Sequence, residues 1–545
     1  MSQNGSRKTR RDYPTAFSKR ESWRRSKVAS EPIQSPPQMR KTLSLAGLTI
    51  NAMALIAPGA FLWLNYQAQA AQVDPSGVST APDIWFGLFL ALILSFLTAA
   101  SYSWLARRYP DAGTGSSYYF AQRALLDRGS SNRRARDVKF IVGWLSHLYY
   151  WVYPGVMVAF MGFFMTYILQ AVGIAISPLT QVAIVVVFAL GVGFIAYRGI
   201  QGSTRTNLII NIVQLAMLVG VTILALAYRF INPENVTFYY SNIGQVVLPN
   251  DMSHVLFQAS LAILVLVGFE SITALTSEAK NPRDVPRAVI LSLVIQGTFA
   301  YLLGFFGLQA WFNSHYTFAN AAASAAPLGD IVRISTDALF GGGGFVIMLV
   351  VAAAVAAAVL GTTLACLNTG VRVTYAISRD TEVPQPLGKL NSRYGTPAIG
   401  TWVLTAVSAA IGAFGVLSLR NLTAIMLLSN FGTFLLYGVT CIVALVALSK
   451  ERRSILTKYI VPIAGFVANM IMLVAVMWLG LIGGGDTQWA ALVAVAITAI
   501  WMLIGFGYFA ANSKSKSSGI FPFPGKETAE DKDKKVSVYG SAGGL

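Results

Sequence analysis

The chain has 545 residues, of which 55% are hydrophobic and only 12% are charged. Soluble domains carry about 25% charged residues, so this composition argues against disorder and against an ordinary soluble enzyme. The charges are strongly basic, with 41 Lys and Arg against 23 Asp and Glu and a net charge of +18. A nucleic-acid-binding protein needs a polar surface to display such charge. The composition therefore predicts a polytopic membrane protein with its positive charge held on one side and no nucleic-acid partner.

Apolar stretches long enough to cross a bilayer, roughly 20 residues each, recur about twelve times along the chain. They are predicted at 44–66, 84–106, 139–170, 180–198, 207–229, 254–277, 286–312, 338–371, 396–416, 420–448, 458–481 and 487–511. We expect an all-α transmembrane domain over 44–511. A basic disordered tail at 1–43 and a second disordered tail at 512–545 are expected to flank it.

The distribution of basic residues tests this number of spans. With twelve spans and a cytoplasmic N-terminus, 38 of the 41 Lys and Arg residues fall on the cytoplasmic side, and only Arg229, Arg333 and Arg420 fall outside. This bias is the one that the positive-inside rule requires. The sequence therefore predicts a plasma-membrane protein with twelve spans in contact with lipid and both termini in the cytoplasm.

Two of the spans are predicted to be interrupted. The first contains Leu-Ile-Ala-Pro-Gly-Ala-Phe at 55–61, where proline removes a backbone donor and clashes with the preceding turn. The sixth contains Leu-Val-Leu-Val-Gly-Phe-Glu-Ser at 264–271, where a glycine is followed by an acid. Interrupted segments at matching positions of two halves point to the binding site of a transporter. A simple proline kink with a glycine packing contact remains the alternative.

Glu270 is the one Asp, Glu, Lys or Arg that the pattern places well inside a span. A charge at the bilayer centre costs about 2.5–3.5 kcal/mol on insertion scales, so Glu270 should face a cavity or a partner. Three roles stay open: it bonds to backbone amides freed by the break, carries a coupling proton, or pairs with a cationic substrate. No spacing of His, Cys or carboxylates indicates a zinc site or an enzyme, and no cofactor is predicted.

Several motifs occur in a fixed order along the chain. Gly-Phe-Glu-Ser at 268–271 is followed by Glu-Ala-Lys-Asn-Pro-Arg-Asp-Val-Pro-Arg-Ala at 278–288. Others are Ala-Arg-Arg-Tyr-Pro-Asp-Ala-Gly at 106–113, Tyr-Arg-Gly at 197–199, the segment 367–384 and Tyr-Gly-Thr-Pro at 394–397. Together these stretches resemble the signatures of amino acid permeases in the amino acid–polyamine–organocation superfamily, over roughly residues 40–510.

The resemblance implies a LeuT-like fold and secondary transport by alternating access. Two inverted five-helix repeats would occupy about 44–229 and 254–448, followed by two extra helices at about 458–511. The resemblance also implies a substrate site at the breaks of spans 1 and 6, with a contribution from span 8. The matching positions in this sequence are Ala57, Pro58, Gly59, Ala60, Val267, Gly268, Phe269, Glu270, Cys366 and Asn368.

The resemblance also bears on coupling. Gln214 stands where several family members have a lysine that replaces a sodium ion or takes part in proton coupling, so Gln214 and Glu270 are the candidate coupling residues. Thr362 and Thr363 resemble the span-8 hydroxyls that hold sodium in sodium-coupled relatives.

The predicted function is proton-coupled transport or exchange of amino acids. A transporter of polyamines or other organic cations, with Glu270 as counter-charge, is one alternative. A nutrient sensor on a transporter fold, with a basic tail that binds lipid or a regulator, is the other.

Overall fold

The architecture is helical, because a segment that crosses a bilayer must satisfy its backbone hydrogen bonds internally. The computed structural model describes residues 41–56, 58–110, 112, 115–199, 203–232, 248–307, 316–380 and 383–513. Within these ranges the secondary structure consists of helices, turns and three isolated β-bridges. The predicted all-α class of a polytopic membrane protein is therefore confirmed.

The helices are numbered here in chain order over the described ranges. Those before the middle of the chain are α1 (Leu45–Ile56), α2 (Pro58–Ala70), α3 (Ile84–Arg108), α4 (Ser117–Asp127), α5 (Asn132–Ala171), α6 (Pro178–Arg198), α7 (Ser203–Ile231), α8 (Met252–Ala262) and α9 (Ser271–Ala274). Those after it are α10 (Val285–Gly307), α11 (Phe318–Ala323), α12 (Pro327–Phe340), α13 (Gly344–Arg379), α14 (Ala398–Val416), α15 (Leu419–Leu448), α16 (Val461–Ile482) and α17 (Gly485–Ser513).

Ten helical segments of the described chain are long and apolar enough to cross a membrane without interruption. Two shorter apolar segments, Leu45–Phe61 and Met252–Val265, account for the other two predicted spans. They are the spans predicted to be broken. α1 ends at Ile56 and α2 begins at Pro58, whereas α8 passes into a 3-10 turn and regular helix resumes only at Ser271. The twelve predicted spans are thus ten continuous helices and two interrupted ones.

Span 8 starts later than the predicted residue 338. Gly341, Gly342 and Gly343 have φ values of 69°, 142° and 84°, a conformation that is open to glycine and costly for other residues. This run ends α12 at Phe340 and allows α13 to start at Gly344. The predicted span included the last three residues of α12, because hydropathy does not register backbone conformation. It also missed α4 and α11, which are short helices in predicted loops.

The helices differ in how deeply they are packed. In the most apolar 18-residue stretch of α5, 72% is buried inside the protein, and the same holds for α15. In α17 the corresponding share is only 22%. Leu503 on α17 remains 70% exposed. An apolar face of this size on the outside of the protein is the surface that lipid contacts. The centre of the molecule is therefore built around α5 and α15, beside the interrupted spans.

Most of the predicted tails at 1–43 and 512–545 lies outside the described residues. Residues 41–43 are an exception to the predicted disorder. Leu43 forms a parallel β-bridge with Ala279, in which its carbonyl accepts from the Lys280 amide at 2.7 Å. The amides of Thr42 and Leu43 both donate to the Glu278 carbonyl at 2.9 Å. The chain just before α1 is thus fixed to the segment that follows span 6.

Candidate functional site

The breaks of spans 1 and 6 lie in direct contact. A Cβ atom on Gly268 would lie 2.3 Å from Leu55 Cδ2 and 3.1 Å from the backbone nitrogen of Ile56. Gly268 also has a φ of 126°, which a side chain would strain. Space and conformation therefore both require glycine here. Two segments more than 200 residues apart in the sequence therefore meet at their breaks.

Glu270 lies fully buried beside this contact. Its Oε2 accepts hydrogen bonds from the Gly268 amide at 3.0 Å and from the Tyr437 hydroxyl at 2.6 Å. Its Oε1 accepts from the hydroxyls of Tyr149 at 3.0 Å and Tyr150 at 3.3 Å. The four donors give this buried carboxyl group hydrogen-bond partners in place of water. The sequence left three roles open for Glu270. The structure shows the first of them, a hydrogen bond to a backbone amide at the break.

The tyrosines that hold Glu270 come from α5 and α15, the two most buried of the ten continuous spans. Tyr149 and Tyr150 stand out in the sequence only as part of an aromatic run. Tyr437 is 167 residues from Glu270, and no local signal connects the two. Phe269 packs in the same group, with its ring centroid 5.4 Å from that of Tyr437 and 6.3 Å from that of Tyr102. Val267, next to the break, is also buried.

The break of span 1 places Gln214 beside Gly59. Pro58 is the first residue of α2, a position that tolerates proline because the first amides of a helix have no partner within that helix. A Cβ atom on Gly59 would lie 3.4 Å from Gln214 Oε1 and 3.1 Å from Met217 Cε. Ala60 is fully buried, and Ala57 lies outside the described residues. Gln214 is therefore adjacent to the break.

On span 8 the two threonines are bonded to backbone carbonyls. Thr362 Oγ1 donates to the carbonyls of Ala54 and Ala358, each at 2.9 Å, and Thr363 Oγ1 donates to that of Val359 at 2.7 Å. Such back-bonding is common for hydroxyls within helices. Thr362 thereby joins α13 to the end of α1. The predicted sodium-binding role of these hydroxyls stays a prediction.

Cys366 and Asn368 lie further along α13 and are both buried. Cys366 is a free thiol. The Asn368 carbonyl accepts from Arg372 Nη1 at 2.9 Å. Among the described residues, no group of three His, Cys, Asp or Glu side chains could hold a metal ion.

Two buried ion pairs lie toward the predicted cytoplasmic end. Arg372 Nε pairs with Glu278 Oε1, and Lys139 Nζ lies 2.7 Å from Asp380 Oδ2. The Tyr118 hydroxyl also donates to Asp380 Oδ2 at 3.0 Å. All four charged side chains are at most 7% exposed. Sequence reasoning missed them because they fall at or just beyond the predicted ends of spans, where charge is expected to face water.

The predicted outer end has its own polar contacts between spans 1 and 6. Gln258 Nε2 donates to the Gln69 carbonyl at 2.8 Å. His254, near the start of α8, lies 3.3 Å from Asp74 Oδ2 in the loop after α2. Hydrogen bonds from Ser76, Val78 and His254 lower the pKa of Asp74 to about 2. This carboxylate is therefore ionised at physiological pH, and side-chain contacts join the interrupted spans at this end as well.

Comparisons with known proteins identify the family to which the chain belongs. A family model described as amino acid permease matches residues 41–506. The chain is 25% identical over 461 residues to the branched-chain amino acid permease BcaP of Bacillus subtilis (strain 168), covering 81% of this chain and 88% of that protein. It is 23% identical over 499 residues to the low-affinity putrescine importer PlaP of Escherichia coli (strain K12), covering 89% and 96%. A methylthioribose transporter of Bacillus subtilis (strain 168) is 26% identical over 281 residues, covering 49% and 52%.

The matched region contains both breaks, Glu270 and its tyrosines, and the two buried ion pairs. The relatives are transporters rather than enzymes. The chain therefore belongs to the amino acid permease family of the amino acid–polyamine–organocation superfamily and is an integral membrane transporter.

Proposed function

We propose that the protein is a secondary active transporter that moves neutral amino acids by alternating access, with the substrate bound at the breaks of spans 1 and 6. The observation that carries the choice of substrate is the bonding of Glu270. Its carboxylate accepts from Gly268, Tyr149, Tyr150 and Tyr437, so it is committed to the protein. A cationic substrate would have to displace these donors to use it as a counter-charge.

The helix ends at the breaks offer both signs of partial charge. The N-terminus of α2 at Pro58 carries a partial positive charge that suits a carboxylate, and the C-terminal end of α1 at Ile56 carries a partial negative charge that suits an ammonium group. A zwitterion can use both ends without a charged side chain. The aromatic pair Phe61 and Tyr153, with ring centroids 6.0 Å apart, adds apolar surface nearby, and the named relative BcaP supports branched-chain amino acids as first candidates.

Alternating access requires that contacts at the two ends of the breaks open in turn. The pairs Arg372–Glu278 and Lys139–Asp380 hold one end, and the Gln69–Gln258 bond helps to hold the other. We place the ion-paired end and both termini in the cytoplasm, on the strength of the charge bias. Within this proposal two inverted repeats, proton coupling or exchange through Glu270 and Gln214, and a sodium site at Thr362 and Thr363 are the finer expectations.

A second candidate substrate follows from the relative PlaP, whose name gives putrescine as its substrate. Uptake into proteoliposomes tests both candidates, using radiolabelled leucine and putrescine with and without a pH gradient. We expect saturable leucine uptake that unlabelled valine inhibits and putrescine does not. Putrescine uptake without leucine uptake would overturn the choice of substrate. No flux for any amino acid or amine would favour the sensor alternative.

The same proteoliposomes decide the coupling ion. Replacing sodium by choline should leave the rate unchanged if a proton gradient or exchange drives transport. A loss of uptake in choline would support sodium binding at Thr362 and Thr363. Trans-stimulation by internal leucine in the absence of any gradient would identify exchange.

A further inference from the structure

The imidazole of His254 lies between two aspartates at the predicted outer end of the protein. Its Nε2 is 3.3 Å from Asp74 Oδ2, and its Nδ1 is 3.5 Å from Asp83 Oδ2. His254 is in the first turn of α8, which forms the first part of span 6. Asp74 lies in the loop after α2, and Asp83 ends the 3-10 turn Ala81–Asp83 that precedes α3. One side chain therefore connects spans 1, 2 and 6.

Each aspartate uses its other oxygen to hold the backbone nearby. Asp74 Oδ1 accepts from the amide of Ser76 at 2.9 Å and from its hydroxyl at 2.7 Å. Asp83 Oδ1 accepts from the amide of Asn250 at 2.8 Å and from its Nδ2 at 3.1 Å. Asp83 Oδ2 is buried and accepts no hydrogen bond within the described part of the chain. The two carboxyl groups are thus fixed in place, with one oxygen of each turned toward His254.

This arrangement requires one proton more than a neutral imidazole supplies. A neutral imidazole carries a single N–H, and its other nitrogen is an acceptor. Here both nitrogens face carboxyl oxygens. Asp74 is ionised and can only accept, because hydrogen bonds, above all from Ser76, lower its pKa to about 2. Both contacts are satisfied only when His254 carries a proton on each nitrogen, and a proton on Asp83 Oδ2 in place of Nδ1 would leave the count unchanged.

The charged groups near His254 in the described structure are acidic. Besides Asp74 and Asp83, Asp251 caps the start of α8 and accepts from the His254 amide at 3.4 Å. The helices α2, α3, α15 and α16 also pack against α8. α2 and α16 contain no charged side chain, and the basic residues of α3 lie in its last turn, at the opposite end. Arg420 of α15 pairs with another acid. A positive charge on His254 therefore meets opposite charge on each side.

We propose that a proton bound at His254 ties the outer part of span 6 to the segment between spans 1 and 2, and that loss of this proton loosens the link. The side chain is 12% exposed, so water at that end of the protein supplies and removes the proton. Histidine is the side chain that titrates near neutral pH. The link is therefore complete in acid and is lost as the pH rises through the range in which histidine gives up its proton.

The link at His254 is separate from the substrate site. His254 lies near the start of α8, whereas the break and Glu270 follow the end of that helix. Gln258, one turn further along α8, already donates to the Gln69 carbonyl on α2 at 2.8 Å, and this neutral bond does not titrate. The outer parts of spans 1 and 6 thus have one contact that is independent of pH and one that needs a proton. Neither contact depends on which solute the protein carries.

Hydrogen–deuterium exchange of the purified full-length protein measures this link locally and needs no transport assay. Amide protection is compared at about pH 5.5 and about pH 8.5, on either side of the ordinary histidine pKa of about 6.5, after correction for the intrinsic exchange rate at each pH. We expect the protection of 71–83 and of the first turns of α8 to fall about threefold or more at the higher pH. The predicted outer loop at 172–177 has no ionisable side chain and should keep its protection.

Three variants assign the response to His254. His254→Gln is neutral at every pH and should show the lower protection at both values. Asp74→Asn keeps the oxygen that holds Ser76 but replaces the one that faces His254, so it should also lose the pH dependence. Asp486→Asn is the control, since it removes a carboxylate at the same predicted end whose partner is Arg420, and it should respond like the wild type.

Two results would overturn the proposed link. One is equal corrected protection of the wild type at both pH values, and the other is a pH dependence that persists in His254→Gln. If His254→Gln does not fold, Asp74→Asn decides the question in the same way, because its contacts with the local backbone are retained.

Discussion

Glu270 combines a recognisable sequence position with partners that the sequence does not reveal. Its place after a glycine in an apolar run is visible in the sequence and is shared with the family signature. Its bonds to Tyr149, Tyr150 and Tyr437 depend on how α5 and α15 pack beside span 6.

The Glu270 bonds lead to a prediction for the tyrosines. Tyr437→Phe removes the 2.6 Å donor and should lower the free energy of unfolding by about 1–3 kcal/mol, because a buried carboxylate loses a partner. Tyr102→Phe is the control, since Tyr102 packs in the same aromatic group but its hydroxyl bonds to Ser117 and Thr440. Thermal unfolding should show the larger loss in Tyr437→Phe; equal losses would contradict a dominant role for the Glu270 bond.

Replacing Glu270 itself separates a structural role from coupling. Glu270→Gln keeps the shape but turns an acceptor oxygen into a nitrogen that faces donors, so stability and leucine uptake should both fall. The pH profile of uptake supplies the further readout. If Glu270 carries the coupling proton, residual uptake in the variant should lose its pH dependence. Intact uptake with an unchanged profile would exclude both coupling and counter-charge roles.

At the scale of elements, the interruptions of spans 1 and 6 were predictable because proline and glycine act on the local backbone. The start of α13 and the loop helix α12 were not, because hydropathy does not distinguish a continuous helix from two helices joined by Gly341–Gly343. The buried ion pairs were missed for a related reason. A charged residue at the end of a span can face water or a neighbouring span. Which of the two it faces depends on how the helices pack.

The break of span 6 predicts different outcomes for two glycines. Gly268→Ala should abolish uptake and lower the Tm, because the new methyl group would meet Leu55 at 2.3 Å and the φ of 126° would be strained. Gly220→Ala on α7 is the control, as nothing lies within 4 Å of the new atom. It should be neutral or stabilising by about 0.5–1 kcal/mol. Normal uptake by Gly268→Ala would show that the close contact is dispensable.

The buried pair at the predicted cytoplasmic end is expected to depend strongly on both partners. Glu278→Gln leaves Arg372 buried without its counter-ion and should cost about 3–5 kcal/mol. The exposed pair Arg108–Asp127, with side chains 44% and 41% accessible, is the control, and Asp127→Asn should cost about 0–1 kcal/mol. Chemical denaturation followed by tryptophan fluorescence measures both. A double variant with Arg372→Met should recover part of the loss; no recovery would argue against direct pairing.

For the whole molecule, the charge bias gives an orientation that the fold alone does not fix. The native cysteines Cys366 and Cys441 are buried, so they should not react with a thiol reagent. Labelling of a cysteine introduced on the surface therefore shows on which side of the membrane it lies. With both termini in the cytoplasm, Ser79→Cys in the exposed loop before α3 should react with a membrane-impermeant maleimide on intact cells. Ser392→Cys in the exposed loop before α14 should react only after permeabilisation. The reverse pattern would invert the topology and place the Arg372–Glu278 and Lys139–Asp380 pairs at the outer end.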